Sequence, residues 1–63
     1  MADNKIRKYR EKRGLTREQL GAKLWFEPDK IEAWETGEKV PSVYAAICLA
    51  KTLGTTVEEL FAL

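Results

Sequence analysis

Between Arg17 and Glu35 the chain reads REQLGAKLWFEPDKIEAWE, and in it Leu20, Leu24, Phe26, Ile31 and Trp34 are the large apolar residues that recur at helical spacing. This spacing constrains the fold more than any other feature. It predicts one short helix over Arg17–Leu24 and another over Pro28–Glu35, with a connection too short for anything but a sharp crossing.

Local signals fix the ends of both helices. Thr16 and Gln19 make a T-x-x-Q capping box, with Leu15 and Leu20 placed as its hydrophobic staple. Gly21 sits inside the first helix although Gly costs about 1 kcal/mol there against Ala, so its expected use is to let the second helix cross closely. Phe26 precedes a Glu27 cap and a Pro28 at the first helical position, and can staple onto Ile31. Gly37 is the stop.

The flanks read as three further helices. Asp3 or Asn4 caps the first, which carries Ile6, Tyr9 and Arg13 on one face and ends at Gly14. Ser42 caps the fourth, whose inner face is expected to be Val43, Ala46, Ile47, Ala50 and Leu53, with Gly54 as its stop. Thr56 and Glu59 form another capping box, opening a last short helix that sets Val57, Leu60 and Phe61 on the bundle. The expected fold is all-α, a compact five-helix bundle forming a single domain over 1–63. Helices 1, 4 and 5 are the base that holds helices 2 and 3 at their angle.

This arrangement resembles the helix-turn-helix of the phage-repressor and Cro family, lambda-repressor-like DNA-binding domains. That family's unit has apolar residues at the places held here by Leu20, Leu24, Phe26, Ile31 and Trp34, and a small residue at that of Gly21. The flanking phrases RGLTREQL, AWETGEKVPS and LAKTLGTTVEELF look like the family's wording, so the resemblance covers nearly the whole chain. Trp25 departs from it, because the family usually has Gly there to supply a positive φ. Either Trp25 is strained or the turn is built differently, and its ring either lies along a groove wall or covers the corner between helices 2 and 3 as core.

Composition removes other chemistries. With 44% hydrophobic and 33% charged residues the chain is globular rather than disordered. It has no histidine, no cysteine pair and no Gly-rich phosphate loop, so no metal, cofactor or small-molecule site is expected. The lone Cys48 reads as a small buried hydrophobe. Glu32 and Glu35 could pair as general acid and base, yet a bundle this small has little room for a cleft, and no enzyme activity is expected. The most apolar run, Val43 to Ala50, is far short of the roughly 20 residues that span a bilayer, and the N-terminus lacks a signal pattern. The expected location is cytoplasmic, bacterial or phage-like and nucleoid-associated.

Double-stranded DNA is the expected partner. Residues 1–13 carry six basic and two acidic side chains, whereas residues 14–35 carry three and five, a directional field rather than a uniformly sticky surface. A helix fits the major groove, and a wheel with Ile31 and Trp34 inward turns Asp29, Glu32, Ala33 and Thr36 outward. By resemblance, bases are read from Glu27, Pro28, Asp29, Lys30 and Ala33. Family members commonly carry Gln, Ser, Thr or Arg on that face, and this one is acidic. Asp29 can accept from the cytosine N4 amine, Lys30 can donate to guanine O6 or N7, and Pro28 and Ala33 can meet a thymine methyl. Glu27 is then a cap and Glu32 a solvated bystander. Phosphate anchoring falls to Arg17, Arg10 and Lys39, with Thr16 and Thr36 as neutral donors. A family framework with a rewritten reading face fits a natural regulator and an engineered binder equally.

The competing reading is a protein-interaction module using the acidic helix 3 and the apolar end Leu60, Phe61 and Leu63. The same C-terminal helix could serve a homodimer, as family members commonly bind palindromes as dimers.

Overall fold

The computed structural model describes residues 4–62, and within them the chain is five helices with no strand. They are α1 (Ile6–Lys12), α2 (Arg17–Leu24), α3 (Pro28–Thr36), α4 (Val43–Leu53) and α5 (Val57–Leu60). Each gives at least one fully buried side chain to a common core: Ile6, Leu20, Ile31, Leu49 with Leu53, and Leu60. The result measures 26 × 23 × 20 Å. α4 packs on α1, α2 and α5, and α1 also meets α3, so the first, fourth and fifth helices do form the platform for the other two.

α2 starts at a complete capping box. The Gln19 amide donates to Thr16 Oγ1 at 3.0 Å and the Thr16 amide donates to Gln19 Oε1 at 2.9 Å. Helix N-termini leave amides without partners, and this reciprocal pair satisfies two donors at the start. Gly21 has the close-packing role expected of it, but against the turn. A Cβ there would collide with the Phe26 carbonyl oxygen and would also sit 3.7 Å from Pro28 N. Beneath the turn, Phe26 meets Trp34 edge to face, with ring centroids 5.1 Å apart.

Of the other local expectations, some hold and some are corrected. Asp3 lies outside the described residues. Asn4 does bond the start of α1, accepting from the Ile6 amide at 3.2 Å, while its amide nitrogen donates to the Trp34 carbonyl at 2.8 Å. Arg13 is exposed, and its Nε donates to the Leu53 carbonyl at 3.3 Å, closing the end of α4. Glu27 holds the cap position of α3 but makes no side-chain capping bond. Thr56 accepts from the Glu59 amide at 3.1 Å, yet the Glu59 carboxylate accepts from Thr55 Oγ1 instead of closing the box.

The face of α4 is rotated from the one expected. Ala45, Ala46, Leu49, Ala50 and Leu53 are buried, while Val43 and Ile47 are 78% and 43% exposed. Ala46, Ala50 and Leu53 belong to both stripes, so the apolar pattern alone did not choose between them. Cys48, between the two faces, is half-buried.

Candidate nucleic-acid interface

α3 is oriented by charge as well as by its apolar side. Ile31 and Trp34 enter the core, and Glu35, one residue on, is buried with them at 9% exposure. Its carboxylate accepts from Arg10 Nε at 2.6 Å, from Arg10 Nη2 at 3.4 Å and from Arg17 Nε at 3.1 Å. Arg10 also donates through Nη1 to the Leu15 carbonyl at 2.8 Å. One carboxylate thus ties α1, α2 and α3 together, and the described side chains include no buried polar atom without a partner. Truncating either buried member, Arg10 or Glu35, leaves an uncompensated buried charge, at a cost of about 3–5 kcal/mol.

This overturns two expectations. Arg10 is 7% exposed and fully engaged by Glu35 and Leu15, so it is not presented to a phosphate. Glu35 does not stand beside Glu32 as an acid and base pair would: Glu32 is exposed, whereas Glu35 is buried. Its position four residues after Ile31 and beside Trp34 was the available signal, and two arginines lie near enough in the fold to neutralise it.

The outward side of α3 is otherwise as acidic as the sequence implied. Asp29, Lys30 and Glu32 are exposed, as is Glu27 just before the helix, while Pro28 is half-exposed. An open hollow of about 300 Å³ is lined by Glu27, Asp29, Lys30, Ala33 and Lys39. It joins four of the five expected base readers with one expected phosphate anchor. Ala33 is the exception to outward exposure, at 8%. The loop after α3 folds back over it, with the Lys39 amide donating to the Ala33 carbonyl at 3.1 Å. Its methyl group is therefore the floor of the hollow rather than a projecting contact.

Thr36 is exposed, but its hydroxyl proton is already given to the Ala33 carbonyl at 3.2 Å, and its oxygen accepts from the Glu38 amide at 3.4 Å. While that loop stands it has no proton for a phosphate. Thr16 differs: it is exposed, its oxygen only accepts from Gln19, and its own proton is free to donate. A second hollow of about 420 Å³ lies at the start of α2, with Thr16 and Arg17 in its lining and Arg10 in its wall. Arg17 is the half-exposed member of the Glu35 network, its side chain 34% accessible. Lys39 is exposed at the far end of α3.

For Trp25 the structure decides how the turn is built and removes the core position. Its backbone is left-handed, with φ 64° and ψ 34°, so the turn keeps the usual geometry and the aromatic residue bears the strain. The side chain is 94% exposed and covers no corner.

An apolar surface begins just after Lys39 in the chain. Val40, Val43 and Tyr44 are 86%, 78% and 74% exposed, and Val40 and Val43, with Ile47, border a groove of about 330 Å³ reaching Val57 and Phe61. Leu60, expected to be part of it, is fully buried in the core, and Leu63 lies outside the described residues. No helix among the described residues is long and apolar enough to cross a membrane.

Comparison with known proteins agrees with the fold. A family profile described as a helix-turn-helix domain matches residues 4–63. The chain is 31% identical over 58 residues to a helix-turn-helix-type transcriptional activator, BcrR, of Enterococcus faecalis. It is 38% identical over 58 residues to an uncharacterized regulator of the same type from Methanocaldococcus jannaschii, and 33% over 57 residues to another from Archaeoglobus fulgidus. These matches take in 92%, 92% and 90% of this chain, but 28% of the activator against 88% and 81% of the two archaeal proteins. No solved structure gives a significant match.

Proposed function

The chain belongs to the helix-turn-helix domain family, and from that premise we propose that it is a transcriptional regulator binding double-stranded DNA by sequence, with α3 in the major groove. One observation carries the reading. The turn into α3 is packed on α2 at Gly21 and the last turn of α3 is tied to α1 by Arg10–Glu35, so the helix is held at both ends while Asp29 and Lys30 stay exposed.

In this reading Asp29 and Lys30 read base edges, Pro28 offers apolar contact, and Glu27 lines the same hollow with a carboxylate free of any capping bond. Phosphates are held by Arg17, Thr16 and the first amides of α2 on one side, and by Lys39 on the other. Arg17 can turn to a phosphate without stripping Glu35, because Arg10 still faces that carboxylate with two donors. We assign the domain no catalysis, and its place of action is the nucleoid.

A homodimer fits through the outer face of α4 rather than through Leu60. Exposed apolar patches of this kind mark association surfaces, and a two-fold contact there would carry two α3 helices to half-sites about 34 Å apart. Selection from a randomised duplex library, followed by titration of the winning duplex, tests the reading. A defined preferred sequence is the expected result, and enrichment of no sequence at any salt concentration overturns it.

A further inference from the structure

Trp25 is costly where it stands, and nothing in the described molecule compensates for it. A left-handed φ is disfavoured for a bulky side chain, and glycine would take it without strain. Among the described residues only Trp25 and Ala62 adopt a positive φ without being glycine. Large aromatic rings usually repay such a position by packing, but this one is 94% exposed, whereas the other tryptophan, Trp34, is 4% exposed and meets Phe26.

The backbone that carries the ring is nevertheless held firmly. The Trp25 amide donates to the Gly21 carbonyl, and the next residue, Phe26, is pinned between Gly21 and Trp34. The ring therefore leaves a fixed corner two residues before Glu27, which lines the proposed reading surface, and three before Pro28. Building on that reading, the geometry points to Trp25 as a neutral anchor on the sugar-phosphate wall of the groove, its ring against deoxyribose and its indole N–H donating to a phosphodiester oxygen.

The charge pattern favours such an anchor. Glu27, Asp29 and Glu32 repel phosphates around the first turns of α3, where Lys30 is the one nearby cation on the same helix. An indole donates a hydrogen bond without carrying charge, so it releases no counterion and holds as well at high salt as at low. It also suits any sequence, since sugar and phosphate are the same at every step.

The test compares Trp25→Gly and Trp25→Phe with the parent on a duplex selected by the parent from a randomised library. Glycine keeps the turn's backbone, so Trp25→Gly is expected to unfold at the same temperature or higher. It should nonetheless bind about tenfold more weakly, with an unchanged slope of log K against log salt. Trp25→Phe keeps a ring but loses the donor, and should fall between, about threefold weaker than the parent. In the parent, acrylamide quenching of the exposed indole should drop on adding duplex. Trp25→Gly binding within about twofold of the parent, or losing affinity only through a flattened salt slope, overturns the inference. So does protection from quenching on concentrating the protein without DNA, which would mean a second copy covers the ring. A parent that selects no duplex overturns the DNA reading itself, and this inference with it.

Discussion

Arg10 and Glu35, 25 residues apart in sequence, close a buried ion pair at 2.6 Å that fixes the angle of α3 on the rest of the bundle. The pair is a positioning device. It lies on the inner side of α3, where it governs how that helix is presented.

Glu35→Ala should therefore destabilise the domain by about 3–5 kcal/mol, since it strands one arginine in the interior and frees another. In a domain of this size each kcal/mol moves the melting temperature by about 4–8 °C, so the loss is easily read by thermal unfolding. Replacing the pair together, Arg10→Met with Glu35→Leu, should recover most of it. A single Glu35→Ala costing under about 1 kcal/mol would show that the network is ornamental.

Arg17→Ala should separate stability from binding. The side chain is a third exposed, so its loss should cost the fold only about 0.2–1 kcal/mol. On DNA, if it transfers to a phosphate, the slope of log K against log salt should become shallower by about 0.9. An unchanged slope would remove Arg17 from the phosphate contacts.

Asp29→Ala and Glu32→Gln should act differently although they share a helix. The first should relax preference at one base pair by about 1–3 kcal/mol in a panel of single-step variants of the selected duplex. The second should strengthen binding to every member of the panel alike, because it removes a repulsion that carries no sequence information. Swapped outcomes would exchange the roles given to these carboxylates.

Gly21→Ala should destabilise by about 1–3 kcal/mol in denaturant titration, even though Ala is the better helix former by about 1 kcal/mol. The new methyl group meets the Phe26 backbone, which cannot rotate aside as a side chain would. A neutral or stabilising result would mean that the turn can open without loss.

Val43→Lys should leave folding within about 0.5 kcal/mol of the parent, as the side chain is 78% exposed. If α4 carries the two-fold contact, the same change should shift sedimentation to the monomer and abolish steep binding to a two-half-site duplex. A parent that sediments as a monomer at every concentration and binds one half-site would sink the dimer.

What could be read from the residues followed the range of the forces involved. The ends of α2, the Pro28 start of α3 and the role of Gly21 were legible because caps, turns and near neighbours act over a few residues. The Arg10–Glu35 pair was not, since the pairing depends on how α1 and α3 meet. Ala33 was misread because a wheel knows nothing of the loop that folds over it, and Thr36 because its hydroxyl closes that loop. The stripe on α4 was ambiguous in a segment, VYAAICLA, that is apolar on nearly every side.

The carboxylates beside Lys30 bear on how such a regulator would find its address. Chromosomal DNA presents an immense excess of wrong sites, and occupancy of the right one depends on the ratio of the two affinities rather than on either alone. A reading surface that weakly dislikes polyanions lowers the background first, so fewer copies are held in transit along irrelevant tracts. The search would then proceed more by dissociation and re-encounter than by long sliding, and a modest number of molecules could keep one operator occupied.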